Sequence, residues 1–148
     1  CLHSLGPFRL INSLSAGRDV SQAPVTMVKT FYRAAPQADW PEVIPLLHPD
    51  FEIIESPALP FSGRYCGLEG LKILGRTLVA NYSRFDATPK FFYEGSEGVI
   101  ARVALSAVVR SGGRSFDTEI AECFGFTDGL IREIHPFYWN PQLLESSE

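Results

Sequence analysis

Apolar residues recur at helical spacing in the first half of the chain. One face of the first helix carries them at intervals of three or four residues: Val25, Val28, Phe31 and Ala35. Pro36 ends that helix, and the segment from Asp39 to Glu42 has the form of a capping box that begins a short second helix. A third helix fits residues Leu68 to about Tyr82. We therefore predict three helices before most of the strands.

Elsewhere the apolar and polar residues alternate, which is typical of strands. A first strand spans Phe51 to Glu55, and four further runs lie at about 85–93, 98–110, 115–126 and 130–139. Helices first and antiparallel strands afterwards predict an α+β domain with the helices on one face of a curved sheet. We place this domain at residues 25–140, after a leader or strap at 1–24 and before a C-terminal tail at 141–148.

Two strands carry a carboxylate in an otherwise apolar row. Residues two apart in a strand share a face, so Glu55 lies on the face of Phe51 and Ile53, and Glu122 lies on the face of Ile120 and Phe124. A carboxyl group in apolar surroundings has a raised pKa, as a general acid or a poised base at neutral pH requires. Exposure at a strand end is the alternative for these glutamates.

The dipeptide Asp128-Gly129 is a strong signal for a two-residue hairpin turn. With those residues at the turn, the regular register places Glu122 opposite His135, with their Cβ atoms about 4.5–5.5 Å apart. The two side chains would then share a proton. A bulge in the hairpin would move the partner by one residue. The alternative for His135 is a histidine of the core or its rim.

Composition narrows the classes of function. The chain has 148 residues, which is one ordinary domain, and its net charge of −4 argues against a nucleic-acid partner. No stretch approaches the roughly 20 apolar residues of a membrane span. The three cysteines have no CxxC spacing and the histidines lie far apart, so we expect no metal and no cofactor, in a reduced, cytoplasmic compartment.

The order of motifs along residues 25 to 140 resembles the NTF2-like superfamily, and within it the SnoaL-like and ketosteroid-isomerase-like branch. The motifs are Phe31-Tyr32, the segment from Leu46 to Phe51, Gly63 with Gly67, and the segment from Phe126 to Ile131. The resemblance implies a cone in which three N-terminal helices pack on a strongly curved antiparallel sheet around an apolar pocket. It also implies a homodimer formed through the sheet.

The resemblance implies roles for the two glutamates. Glu55 matches the position of the proton-shuttling carboxylate of the isomerases, and Glu122 matches their protonated oxyanion-hole acid, both of which are Asp in those enzymes. The tyrosine of their oxyanion hole falls at Phe31, with Tyr32 one residue later. The SnoaL-like cyclases use a histidine and a carboxylate from the last two strands, which Glu122 and His135 resemble.

These observations lead to one hypothesis and one alternative. The hypothesis is a cofactor-free acid/base enzyme, of the isomerase, cyclase or dehydratase type, acting on a small apolar molecule that contains a carbonyl group. Glu55 would be its base, Glu122 the acid or oxyanion donor, and His135 the partner of Glu122. The further candidates for contact with the substrate are Tyr32, Tyr65, Phe124 and Tyr138. The alternative is a non-catalytic module of the same fold that binds a small ligand or dimerises.

Overall fold

The computed structural model describes residues 22–146. The helices α1, α2 and α3 span Pro24–Ala34, Trp40–Val43 and Gly67–Asn81. The strands β1 to β6 span Leu47–Glu55, Gly63–Cys66, Tyr82–Gly95, Gly98–Val109, Ser115–Thr127 and Leu130–Tyr138. Short 3-10 turns follow α1 and α2, and another spans Pro141–Leu144. Most of the expected leader, residues 1–21, lies outside the described residues.

The six strands form one sheet in the order β2-β1-β6-β5-β4-β3. Neighbours pair antiparallel, except that β1 runs parallel to β6. The α+β class expected from the sequence is confirmed, with a sheet that is mixed at this one pair. The sequence pattern does not predict β2, because an edge strand of four residues is too short to show an alternation.

Helix α1 buries only part of the face predicted from its spacing, because Val25 and Ala35 stay partly exposed. Pro24 begins α1, where its missing N–H costs no helical hydrogen bond, and the helix buries Met27, Val28, Phe31 and Ala34. Asp39 precedes α2, but its side chain makes no capping hydrogen bond. Glu42 instead bonds Arg33 across the turn, at 2.5 Å. The capping box predicted from the sequence is therefore wrong.

The inner face of the sheet is the core. Along β4 every second residue is buried from Val99 to Val109, while the residues between them face outwards. Gly98 begins this strand where it passes close to β5, since a Cβ there would lie 2.1 Å from the Phe124 carbonyl oxygen. The rings of Phe31, Tyr32, Phe92 and Phe124 pack together near that end.

The β5–β6 hairpin has the predicted turn but a different register beyond it. Asp128 and Gly129 both have positive φ, of 52° and 73°, as a type I′ turn requires. Phe126 pairs with Ile131 as predicted, and then Arg132 forms a bulge that leaves Gly125 opposite Glu133. The predicted pairing of Glu122 with His135 is therefore wrong: Glu122 lies opposite Pro136, and His135 lies opposite Cys123.

Candidate active site

Glu55 lies at the end of β1 on the inner face of the sheet. Its residue is 6% exposed, and its Oε2 atom is buried without a hydrogen-bond partner. Burial, followed by the charge of Glu122, raises the pKa of the Glu55 carboxyl from 4.5 to about 8. The group is therefore an acid that exchanges its proton near neutral pH.

Glu122 occupies the inner face of β5 between Ile120 and Phe124. Its neighbours across the sheet are Ala101 on β4 and Pro136 on β6, neither of which can pair with a charge. Part of the residue surface remains accessible, yet desolvation of the carboxyl is the strongest influence and raises its pKa from 4.5 to about 7. The hydroxyl of Tyr32 opposes this rise.

The two carboxyls come from distant parts of the chain and lie within electrostatic reach of each other, since Glu122 contributes to the raised pKa of Glu55. The sequence predicted inward positions for both from the alternation of their strands. Like charges at close range do not both ionise readily in a buried site. Carboxyls whose pKa values are raised towards neutrality can both accept and donate a proton at physiological pH.

Tyr32 lies near Glu122. Its ring, on α1, packs edge-on against Phe31, Phe92 and Phe124 with centroid distances of 6.3, 6.4 and 5.7 Å. The hydroxyl is fully buried and makes no hydrogen bond of ordinary geometry within residues 22–146. Burial first and Glu122 second hold the pKa of this phenol far above its usual value.

Two further tyrosines, Tyr138 and Tyr65, lie near Glu55. Burial, then Glu55 and then Glu122 raise the pKa of Tyr138 well above 10. Tyr65 is close to Glu55, because burial and then the Glu55 charge raise its pKa, but its hydroxyl donates to the Phe61 carbonyl oxygen at 2.7 Å. Phe124 lines the same interior, fully buried against Tyr32. These four predicted contact residues thus surround the glutamate pair.

His135 is not part of this group. The bulge at Arg132 moves it one residue along, so that it lies on the outer face of the sheet opposite Cys123. There its ring stacks on Phe137, with centroids 4.6 Å apart and an interplanar angle of 29°. The geometry therefore separates His135 from Glu122, and the inner neighbour of Glu122 on β6 is Pro136.

Sequence reasoning missed another buried glutamate, Glu52. It lies on the outer face of β1, 4% exposed, and both carboxylate oxygens accept bonds of 2.9 Å from Arg64. Arg132 approaches the same carboxylate at 3.7 Å. The arginines thus compensate the negative charge of Glu52. On the inner face, no cation is among the groups that shift the pKa of Glu55.

Within the described residues, no cluster of three or more His, Cys, Asp or Glu side chains could hold a metal ion. In the same part of the chain, no helix is long and apolar enough to cross a membrane.

Comparison with known proteins identifies the fold and the family. Residues 28–134 match the model of the SnoaL-like domain. No curated protein matches the chain. Among solved structures, an NTF2-like protein of unknown function from Burkholderia pseudomallei is similar, with a TM-score of 0.72 and 17% identity, covering 82% of this chain and 94% of that chain.

Two further structures are informative for their printed descriptions. TerC, co-crystallised with polyporic acid, has a TM-score of 0.70 and 16% identity, covering 82% of this chain and 95% of TerC. IdmH from Streptomyces antibioticus, a candidate polyketide cyclase, has a TM-score of 0.64 and 20% identity, covering 80% of this chain and 94% of IdmH. Likeness at these identities establishes the shared fold.

Proposed function

The chain belongs to the SnoaL-like domain family, and we propose that it is a cofactor-free acid/base enzyme acting on a small, mostly apolar molecule that carries a carbonyl group. Isomerisation, cyclisation and dehydration through an enol or enolate are the reactions that such a site performs. The observation that carries the proposal is the pair Glu55 and Glu122 on the inner face of the sheet, where desolvation raises their pKa values to about 8 and about 7.

The proposed chemistry divides one proton between the two glutamates. The ionised carboxylate takes a proton from the carbon next to the carbonyl, and the electrons of that C–H bond form the carbon–carbon double bond of the enol. The protonated carboxyl donates a hydrogen bond or its proton to the carbonyl oxygen, where negative charge develops. Return of the proton to another carbon completes an isomerisation, and attack of the enol carbon on a second carbonyl closes a ring.

The aromatic side chains support this role. The rings of Tyr32 and Phe124 lie against each other beside Glu122. Burial, then the charges of Glu55 and Glu122, raise the pKa of Tyr138. Rings of this kind bind an apolar molecule and exclude water, which strengthens every electrostatic contact in the site. The printed descriptions of TerC and IdmH, a small-molecule complex and a candidate polyketide cyclase, agree with a small organic substrate.

Deuterium exchange tests the chemistry without knowledge of the substrate. We expect a panel of enolisable ketones and polyketide-like diketones in D2O to include a compound whose α-hydrogens exchange faster with the enzyme, as followed by NMR. Glu55→Gln and Glu122→Gln should each slow this exchange about 100-fold or more, the typical contribution of a general acid or base. Glu97→Gln is the matched control, because Glu97 lies exposed in the turn between β3 and β4.

Unchanged exchange in both glutamine variants would eliminate the mechanism. Saturable binding of a panel compound, without exchange in the wild-type protein, would instead favour a non-catalytic ligand-binding module.

We also propose that the protein is a homodimer formed through the outer face of the sheet. Five large apolar side chains are exposed there: Phe91, Tyr93, Ile100, Phe137 and Trp139. Among them Arg102 and Glu119 form an ion pair, with contacts of 2.9 and 3.0 Å. Patches of exposed apolar residues around a polar contact are typical of protein interfaces.

A further inference from the structure

We propose that the segment from Asn140 to Glu145 is a gate, whose outward movement admits a small molecule to the interior that holds the two glutamates. Leu144 is the side chain of this C-terminal gate that closes the interior. The nature of the molecule that enters rests on the proposed function. The movement itself is a property of the free protein, so it is testable without turnover.

Burial of the candidate site makes an opening necessary. The Oε2 atom of Glu55 and the hydroxyl of Tyr32 are both buried, so a substrate does not reach them until some part of the protein moves. Segments that open to admit a substrate are typically surface segments with few hydrogen bonds to the rest of the backbone. The strands of the sheet do not meet this description, because each is paired along its length with a neighbour.

The chain leaves the sheet just before the gate. The last backbone hydrogen bond to the sheet is donated by Trp139 to the carbonyl oxygen of Glu119, at 3.0 Å. A backbone bond of 3.1 Å from Leu143 to Asn140 then lies within the gate itself. Among residues 22–146, no backbone–backbone hydrogen bond joins the gate to another element. It therefore moves without breaking the pairing of any strand.

Side chains of the sheet hold the gate in place. The hydroxyl of Tyr82 donates to the carbonyl oxygen of Leu144 at 2.5 Å. The guanidinium of Arg114 donates to the carbonyl oxygens of Leu143 and Glu145, at 2.8 and 2.7 Å. The gate is thus fastened by two residues, and substitution of either should loosen it while the sheet stays intact.

Behind the gate, a line of packed rings leads to the candidate site. Leu144 is 1% exposed, and Tyr82, which binds its carbonyl oxygen, packs against Phe61 with ring centroids 6.1 Å apart. The ring of Phe61 in turn packs against Tyr138, also at 6.1 Å. Withdrawal of Leu144 therefore uncovers the end of the interior that contains Tyr138.

The register of the sheet connects Tyr138 to the glutamates. Tyr138 lies opposite Ile120, and Glu122 lies two residues further along β5 on the same inner face, opposite Pro136. Diagonal neighbours of this kind are about 7–8 Å apart, within reach of an aromatic side chain. A molecule that passes Leu144 thus needs to displace only aromatic rings before it reaches Glu122.

The loop between β1 and β2 is held more firmly than the gate. Two of its side chains, Leu59 and Phe61, are buried in the core, at 4% and 1% exposed. The carbonyl oxygen of Phe61 also accepts the hydroxyl of Tyr65 at 2.7 Å. Opening of this loop would expose two core side chains, whereas opening of the gate withdraws one fully buried side chain, Leu144.

Thiol labelling of the interior measures the opening. Val103→Cys places a thiol on the inner face of β4, at a position that is 0% exposed and opposite Ile120. N-ethylmaleimide, itself a small carbonyl compound, modifies this thiol only after it enters the protein, and mass spectrometry of the peptides separates the product from modified native cysteines. We expect Arg114→Gln to accelerate this labelling about tenfold or more, because it removes two charged hydrogen bonds from the gate.

Two controls match this experiment. Val99→Cys carries the reporter on the same face of the same strand, 1% exposed but opposite Phe124, and Arg114→Gln should leave its labelling unchanged. Arg110→Gln is the control for the loss of an arginine, because Arg110 also binds backbone carbonyls, those of Val79 and Tyr82, but none in the gate. It should leave the labelling of Val103→Cys unchanged.

Tyr82→Phe is a second variant that loosens the gate, and it should act in the same direction by a smaller factor, since it removes one bond. Unchanged labelling of Val103→Cys in the folded variants overturns the inference. Equal acceleration of Val99→Cys also overturns it, because the whole fold would then be opening. Neither result depends on the proposed reaction, and failure of the ketone exchange leaves the labelling result standing.

Discussion

Two buried glutamates on one strand differ in how their charges are compensated. Arg64 and Arg132 contact Glu52 on the outer face of β1, whereas the Oε2 atom of Glu55, on the inner face, has no hydrogen-bond partner within residues 22–146. A buried carboxyl without a donor is costly when it ionises, and a protein retains it most readily where the proton is used. Within this single strand, Glu52 is therefore a carboxylate held by arginines, and Glu55 is the one that the proposed reaction would use.

The buried pair predicts that stability falls as the pH rises through the neutral range. The pKa values of about 8 for Glu55 and about 7 for Glu122 in the folded protein exceed the ordinary 4.5. The folded state thus binds more protons than the unfolded state above about pH 4.5. The stability contributed by these groups is complete below that pH and is lost as the pH rises to about 8. Urea denaturation at intervals from pH 5 to 8.5 should show the fall.

Glu55→Gln should flatten that fall, because glutamine carries no proton to lose. The variant should match the wild-type protein more closely at pH 5 and exceed its free energy of unfolding at pH 8.5. Glu97→Gln, at an exposed residue of the turn between β3 and β4, serves as control and should retain the wild-type slope. A wild-type profile that rises between pH 5 and 8.5, or one that Glu55→Gln leaves unaltered, would contradict the assigned pKa shifts.

At the scale of elements, the local sequence pattern predicts some features of the candidate site, whereas others depend on the pairing of distant strands. Glu55 and Glu122 each point inwards because of the alternation within their own strand, which the sequence shows. The turn at Asp128-Gly129 depends on two adjacent residues, so the sequence predicts it as well. The bulge at Arg132 has no such local signal. The strand β6 pairs with β5 on one side and in parallel with β1 on the other, and its register must satisfy both partners.

The same distinction explains the placement of His135. A single extra residue in a strand moves every later side chain to the opposite face. Without the bulge, His135 would face Glu122 as predicted; with it, Pro136 occupies that position. Tyr32 was among the predicted contact residues, but its closeness to Glu122 depends on the packing of α1 against β5, which no pattern in either segment reveals.

Close approach of β4 and β5 depends on Gly98. Its φ of 150° lies outside the range that other residues favour, and an added Cβ would lie 2.1 Å from the backbone oxygen of Phe124. We expect Gly98→Ala to lower the free energy of unfolding by about 2 kcal/mol or more, as measured by urea denaturation. Gly95→Ala, at the other end of the same turn, meets no atom within 4 Å and should change stability by less than about 0.5 kcal/mol. Equal effects of the two substitutions would rule out this close contact.

At the scale of the whole molecule, the two faces of the sheet carry different kinds of side chain. Its inner face holds the acids and tyrosines beneath the helices, and its outer face holds exposed rings around the Arg102–Glu119 pair. A groove on the outer face is lined by residues of β4, β5 and β6, including Phe137, and by Trp139 directly after β6. Side chains alternate between the two faces of each strand, so residues of the proposed interface are sequence neighbours of residues of the candidate site. Dimerisation would therefore stiffen the strands that carry Glu122 and Tyr138.

The last prediction tests the proposed dimer by substitution of Trp139. Its side chain is 79% exposed, the most exposed of the large apolar residues on the outer face, and a two-fold axis through this face would bury it against the rings of the second copy. We expect sedimentation of the wild-type protein to give the mass of two chains and Trp139→Lys to give the mass of one, because a buried lysine charge opposes association. Val79→Lys is the control: Val79 is 67% exposed on α3, away from the sheet's outer face, and its substitution should leave the mass at two chains. A wild-type protein that sediments as one chain at micromolar concentration would exclude this interface, and a Trp139→Lys variant that remains a dimer would move the interface to another surface.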